Sequence, residues 1–477
     1  MIHPIFFKQN EQNTHTVTFN VKKYFIDVDN DFVETFDSNL SGITVEIVGE
    51  ESKLTGGDGV ASFTLAQGTY IYKVYNMTAQ LTTIKGELIV GETPETVECR
   101  LFDCLYTPTV IENMITNEDF IPVASATELD GLRNDDDRRM GQGTIFDSDD
   151  VVTGLDKKYV QVNDIDFEGG LFRALSPATP DFPPFSGIYY GNLLTIKNID
   201  QISTIPTYSV AIFGVCQNAV LKDIISINNR FFVNQSSQIN RAGNIASDIN
   251  NTIIDNCAVI DGYCGKGVNQ FGARIGLICV TAIESHISNC YAINSEIENN
   301  TLNPDGDTSR CGFIISGTGT NTLCEKVYSI NNKFITPTAF IGGIIGVNSG
   351  STLRNSYNLS DVEGLSATGG AVGRNFGTVE KVYSAGNVIG TTSVGGLIGS
   401  NTGTITNSYY DTDTSNQSDT GKGLPRTTLQ LKNGAADSFI NPDGTTDLTE
   451  DPANAMFTGW DNTIWDFTDT TKYPELL

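Results

Sequence analysis

The sequence is poor in the residues that most catalytic sites need. It has three histidines in 477 residues: His3, His15 and His286. His3 and His15 lie at the N-terminal end and His286 stands alone beside an apolar column, so no Ser/His/Asp or Cys/His triad is expected. There is no Walker A spelling, no HExxH and no GxGxxG between a strand and a helix. Basic residues are scarce: 29 against 57 acidic, a formal net charge of −28. That balance argues against nucleic acid or an anionic membrane as partner, and otherwise serves solubility. No run of 18 apolar residues occurs, so no spanning helix and no membrane insertion are expected. The opening residues MIHPIFFKQNEQ lack the basic stretch and apolar segment of a secretory signal. Nine cysteines (99, 104, 216, 257, 264, 279, 290, 311 and 324) are an odd number without zinc spacing. They read as buried thiols of a protein made in a reducing cytosol. No metal and no cofactor are expected.

Glycine is abundant, at 47 against 15 prolines, with 39% apolar residues. This is a turn-rich, all-β composition. The glycines recur. GGIIGVNSGSTLRNSYNLSDVEG starts at Gly342, GGAVGRNFGTVEKVYSAGNVIG at Gly369 and GGLIGSNTGTITNSYYDTDT at Gly395. Corresponding residues return every 26 to 27 positions, as in Gly343, Gly370 and Gly396. A period of this size marks a repeated supersecondary unit. Short β-branched runs alternate with Asn-x-Gly turns and leave no room for a helix. The unit therefore predicts about three short strands, one coil of a parallel β-helix stacked at about 4.8 Å per coil.

The phase extends backwards. One apolar column runs Leu221, Ile254, Ile287, Cys324, Leu353, Val379, Ile405; three residues later comes Ile224, Cys257, Cys290, Val327, Ser356, Val382, Ser408. A third follows at Ile227, Ile260, Ile293, Ile330, Leu359, Ala385. The spacings are 33, 33, 37, 29, 26 and 26, so the early coils carry loops such as residues 298–310.

The glycine pattern resembles the GLUG repeat of bacterial surface and phage-encoded proteins. Three copies match well and four earlier ones, near Ala211, Ala242, Gly272 and Cys311, are degenerate. Asp164-Ile-Asp-Phe, the Phe185–Asn192 step and the Trp465–Leu477 ending extend the likeness to roughly residues 120–477. It implies an all-β, right-handed parallel β-helix in a surface-adhesin setting, and it carries no catalytic residues. Upstream, LTGGDGVASFTLAQGTYIYKV resembles a hairpin of carboxypeptidase-regulatory-like, Ig-like sandwiches. Such domains are spacers or docking modules.

In order, the chain is expected to comprise an arm (1–14), an Ig-like β-sandwich (15–104), a junction with one short helix (105–150), the β-helix (151–432) and a C-terminal cap (433–477). Ser125-Ala-Thr-Glu128 spells a capping box ahead of Leu129 and Leu132, a helix suited to cover the open first rung. Thr427 to Lys432 reads as a second short helix, and Trp460 and Trp465 as the seal of the far end. Asp27-Val-Asp-Asn-Asp31 has alternating carboxylates but Phe32 where a calcium loop needs glycine, so it reads as a solvated loop. Asp411-Thr-Asp413 is weaker still.

The leading functional expectation is a bacteriophage virion structural protein of tail-fibre, head-fibre or spike type. Residues 1–104 would dock on other virion proteins and the β-helix would adhere to a host-surface glycan or protein. A protein released by lysis needs no secretion signal. The alternatives are a bacterial cell-surface adhesin and a tailspike depolymerase, for which no carboxylate pair stands out. Self-association, as a trimer, is left open. The candidate binding residues are Tyr291, Tyr328, Tyr357, Tyr383 and Tyr409, which occupy one position of the repeat. Strand neighbours face opposite sides, so these five are expected to form an outward ladder, as packing for the sheet or as a platform for sugar rings.

Overall fold

A computed structural model of the chain describes residues 14–477 apart from 28–32, 78, 82–83, 103, 133–153, 171, 173, 177–182, 204–208, 234–239, 270–271, 302–308, 336–339 and 419–420. The chain divides into two compact units, Met1–Pro122 and Val123–Leu477.

The first unit is a two-sheet β-sandwich. In one sheet Thr14–Asp27 pairs antiparallel with Val33–Asn39 and Val60–Ala66, and parallel with Glu95–Phe102. The other orders Lys53–Leu54, Thr44–Ile47, Gly68–Tyr75 and Ile84–Val90, all antiparallel. Alternate residues point inward, so Val17, Phe19, Val21, Phe63 and Leu65 share a core with Val45, Ile47, Val74 and Leu88 of the facing sheet. Phe19 meets Phe63 and Tyr72 edge-on at 5.7 and 5.2 Å. The hairpin expected across Gln67 is not one: Val60–Ala66 and Gly68–Tyr75 belong to opposite sheets, and Gln67 is the corner where the chain changes layer. A helix not expected from the sequence, Pro108–Asn117, follows, with the Thr107 side chain accepting from the amide of Val110. The Asp29–Asp31 part of the acidic loop lies outside the described residues.

The second unit is a parallel β-helix. Coils between residues 216 and 342 have five short strands rather than three, and in the next two coils the second and third run on as one strand, Thr352–Asn358 and Thr378–Ser384. A representative coil runs Asp248–Asn250, Ile253–Asp255, Ala258–Ile260, Tyr263–Asn269 and Ala273–Gly276, hereafter faces one to five. Every face pairs in parallel with the same face of the neighbouring coil. The extra corners are single left-handed residues. Asn218, Asn251, Glu284 and Asn321 turn face one into face two; Asp223, Asn256, Asn289, Lys326, Asn355, Lys381 and Asn407 turn face two into face three, all at positive φ. Asparagine and aspartate tolerate that conformation best among residues with a side chain, and one such residue bends the chain without ending the ladder. The corners are bonded from coil to coil: the Asn251 amide donates to Asn218 at 2.7 Å and Asn256 to Asp223 at 2.7 Å. Inside, hydroxyls take up corner amides: Thr252 accepts from Ala219 N–H, Ser285 from Thr252, Thr322 from Ser285 and Ser351 from Thr322.

Two of the three apolar columns point inward as expected, from Leu221 to Ile405 and from Ile224 to Ser408. The third does not. Ser226, Val259, Ala292 and Ser329 are the inward residues of face three, and Ile227, Ile260, Ile293 and Ile330 flank them on the outside. The corner at Asp223 or Asn256 resets the alternation, and the next corner comes only after the isoleucine. The strand therefore alternates plainly from column two onward.

The capping-box residues form the start of a short helix, Ala126–Gly131, with Ser125 as its N-cap. Ser125 accepts from Glu128 N–H at 3.2 Å, Glu128 accepts from Ala124 N–H at 2.6 Å, and Leu129 and Leu132 join the coil core beside Leu155 and Tyr159. Thr428–Asn433 follows the last rung, with a full capping box between Thr427 and Gln430.

The phase of face two makes a one-residue contrast. Ile254 is fully buried, and its neighbour Ile253 is 39% exposed. Ile254→Asp is expected to cost about 3–5 kcal/mol, because a lone carboxylate would sit among Leu221 and Ile287. Ile253→Asp should stay within about 1 kcal/mol of wild type. Urea midpoints of the two variants check the ranking; equal losses would contradict the register.

Candidate functional site

The five tyrosines align in register on face three. Tyr291, Tyr328, Tyr357 and Tyr383 stack at 4.9, 5.0 and 5.2 Å between ring centroids, tilted by no more than 7°. Tyr328, Tyr357, Tyr383 and Tyr409 belong to an apolar cluster separate from the coil core. The open platform does not follow, because residues 433–477 fold back along the flank. Trp465 packs 6.1 and 6.0 Å from Tyr357 and Tyr383, and Trp460 lies 5.9 Å from Tyr409. Tyr357, Tyr383 and Tyr409 are 3%, 0% and 1% exposed, while Tyr291 and Tyr328 are half-buried. The tryptophans thus cover the side of the last coils, where an apolar strip ran uncovered, rather than their end. Burial raises the pKa of all five tyrosines.

Polar bonds fasten this clamp. Tyr383 OH donates to Pro474 O at 2.7 Å, Trp460 Nε1 to Asn407 O at 3.0 Å, and Tyr473 OH to Asp411 Oδ2 at 2.7 Å. The Asp411 carboxylate also accepts from Asp413 N–H and Thr428 Oγ1, so it is a structural anchor. The clamp repeats one small device, Asp-x-Thr. Asp443, Asp447, Asp461, Asp466 and Asp469 each accept both the amide and the hydroxyl of the threonine two residues on. The Thr449 hydroxyl, the Asn454 amide and the Thr449 N–H lower Asp447 to about 2. A carboxylate depressed in the folded state contributes stability above its unfolded pKa of about 3.9, and that contribution is lost as pH falls through the folded value. Tryptophan fluorescence should therefore report loosening of the clamp between about pH 4 and 2. Asp447→Asn should weaken the clamp at neutral pH and flatten that titration.

The opposite side of the coil carries a second row. Arg241, Arg274 and Arg310 are in register on face five of three successive coils, followed by Phe340. Each points outward between buried neighbours, as Arg274 does between Ala273 and Ile275. Arg310 lies across face one, where a Cβ on Gly317 would sit 3.4 Å from its Nη1. Arg374, one coil beyond Phe340, holds its guanidinium 5.5 Å from the Phe340 ring and 4.7 Å from Phe376. Phe376 is 45% exposed. Asp248 pairs with Arg241 at 3.4 Å, and among the described residues Arg274 has no carboxylate within salt-bridge distance. Burial, then Arg310 and Arg241, lower the pKa of Arg274. Unit charges one coil apart repel by on the order of 3 kcal/mol at an effective dielectric of 20, less where side chains splay into water. Arg274→Gln is expected to stabilise the protein by about 1 kcal/mol, and added salt to stabilise wild type more than the variant. A drop in melting temperature would show that the column is held by unseen attraction.

The arginines escaped the sequence reading because it followed apolar columns. Their own spacings of 33 and 36 match the coil period and were the available signal.

No family model matches the chain. A Gly-rich membrane protein of Evansella cellulosilytica is 35% identical over 99 residues, which is 19% of this chain and 8% of that protein. The chain thus spans less than a tenth of that relative, and the likeness concerns a shared stretch.

Proposed function

We propose that this chain is an attachment protein. Its β-helix, built of GLUG-type coils, meets a cell-surface glycan, and its Ig-like sandwich docks it on a phage particle as part of a tail or head fibre. The observation that supports the reading is the outward arginine row Arg241, Arg274 and Arg310, which repeats once per coil on the side of the β-helix away from the covered tyrosines. A rigid row with a short repeat suits a polymer with a short repeat, since little ordering entropy is lost on binding. Residues 1–104 would bind other virion proteins. A second reading, a bacterial surface adhesin, is favoured by the Evansella relative, which is named as a membrane protein.

Two measurements test this. Labelled full-length chain should bind intact host cells and be competed by their isolated surface polysaccharide; no saturable binding would overturn the attachment reading. Immunogold on parent particles and on cell envelopes separates the fibre from the adhesin. Release of reducing sugar from the polysaccharide would instead mark a depolymerase.

A further inference from the structure

We infer that face four of the β-helix binds a neutral glycan, with one sugar unit in a crevice beside Lys333, Asp361 and Glu363 and another against the Phe232–Tyr263 pair further along the same face. The inference deepens the attachment reading and rests on it for its setting.

Three observations converge. The first is a break in the sheet. Face four runs from Asp200–Ser203 through Arg230–Val233, Tyr263–Asn269 and Glu296–Thr301 to Lys333–Phe334, and stops there. In the next coil Val362–Glu363 pairs with Val388–Ile389 as a separate two-stranded sheet. The gap is a cavity of about 450 Å³, within the usual size of small-ligand sites. The second is its lining. Lys333, Asp361, Glu363 and Ile389 line it and are exposed, above the buried Phe334 and Val362. Asp361 Oδ1 accepts from Asn387 N–H at 2.8 Å, which fixes the carboxylate at the rim. Carboxylates accept from sugar hydroxyls and an ammonium donates to sugar oxygens, and such charge-assisted bonds are about twice as strong as neutral ones. Ile389, 52% exposed, adds an apolar surface for the C–H side of a ring. The third is the aromatic pair. Tyr263, Glu296 and Lys333 are register partners on successive coils, so Tyr263 stands two coils, about 10 Å, from Lys333. The Tyr263 ring lies across Gly265, where a Cβ would sit 2.6 Å from its hydroxyl oxygen, and that hydroxyl donates to Glu298. It stacks on Phe232 at 6.4 Å and 27°, with the Arg230 guanidinium 5.2 and 5.3 Å from the Phe232 and Tyr263 rings. Both rings are half-buried, so they are held in place before any ligand arrives and little ordering is lost on binding. Charge decides the class of glycan. Asp200 pairs with Arg230 at 3.0 Å, and Glu296, Glu298, Asp361 and Glu363 outnumber Lys333 along the rest of the face. An acidic glycan or a nucleic acid meets net repulsion there, and a neutral glycan meets none.

The test is titration calorimetry of the full chain with four neutral tetrasaccharides (cellotetraose, maltotetraose, mannotetraose and N-acetylated chitotetraose), against tetragalacturonate and single-stranded DNA. At least one neutral tetrasaccharide is expected to bind with little dependence on salt, and tetragalacturonate and DNA at least about tenfold more weakly. D361N/E363Q should lose about tenfold or more in affinity, with its melting temperature near wild type because both carboxylates are exposed. Phe232→Ala should lose a few-fold. Glu380→Gln, on face two, should bind like wild type. Failure of all four tetrasaccharides to bind overturns the inference, and so does unchanged affinity in D361N/E363Q. An equal loss in Glu380→Gln means a diffuse effect of charge and overturns the assignment to face four. Unchanged affinity in Phe232→Ala removes the aromatic pair from the site. Tetragalacturonate or DNA binding as tightly as the neutral sugars overturns the assignment to a neutral glycan. If D361N/E363Q still binds host cells like wild type, attachment stands and this site falls. If a tetrasaccharide binds at Asp361 and Glu363 but the chain binds no host cell, the site stands and attachment falls.

Discussion

Raised from pH 8 to pH 10, the protein is expected to lose most of its stability. All nine cysteines are free and buried. Burial pushes Cys99 and Cys311 up to about 12, and raises Cys216, Cys257, Cys264, Cys279 and Cys324 as well. A group whose folded pKa lies above its unfolded value contributes stability that is full below the unfolded pKa and drains away as pH rises towards the folded one. The unfolded thiol titrates near 8.5, and each unit of pH beyond it costs about 1.4 kcal/mol per buried thiol. Six of these seven lie in the β-helix, so by pH 10 the summed loss is on the order of 10 kcal/mol, comparable to the whole stability of a domain. Urea midpoints at pH 7.5, 9 and 10, under reducing conditions, measure it. Tyrosines add to the loss only above about pH 10. The repeat itself supplies the control. Cys257 occupies a column position filled by Val327 and Val382 in other coils, and Cys324 one filled by Val379. Cys257→Val with Cys324→Val should fold normally and remove about a third of the alkaline loss. A midpoint that stays level to pH 10 in wild type would show that the thiols are not held protonated.

The β-helix was legible because its evidence is redundant: seven coils repeat the same apolar columns, and an error at one coil is corrected by the next. The corners were less legible. Asn256 and Lys381 occupy the same left-handed corner, and only one of them is a turn residue by type. Register in a stacked coil imposes the conformation on whichever residue arrives there, so the strand count per coil cannot be read from glycines. The inward side of column three was missed for the same reason, since the position of one left-handed corner decides the face of Ile260. The tyrosine ladder could be foreseen from its period, but its cover could not. Trp460 and Trp465 declare that something apolar will be buried; their spacing does not say whether it is the end of the stack or its flank. That choice is made by tertiary bonds such as Trp460 Nε1 to Asn407 O.

Trp460→Ala with Trp465→Ala is expected to release the clamp while the coils remain folded. Trp465 is 1% exposed and Trp460 is 4% exposed, with ring centroids 4.4 Å apart. Each truncation alone should cost about 3–5 kcal/mol, and the pair less than the sum because the rings share a contact. The loss falls on residues 433–477, because their cluster with Tyr357, Tyr383 and Tyr409 is separate from the coil core of Leu353, Val379 and Val382. Limited proteolysis should therefore trim the C-terminal segment first, with the far-ultraviolet signal of parallel strands retained and the tyrosine emission newly quenched by iodide. The trimmed β-helix then presents Tyr291 to Tyr409 as one open aromatic row, and neutral sugar oligomers that ignore wild type should bind it weakly. Wholesale collapse of the coils in the double variant would mean that the flank cluster and the coil core are one cooperative unit. Tyrosines that stay protected after trimming would mean that something other than the two tryptophans covers them.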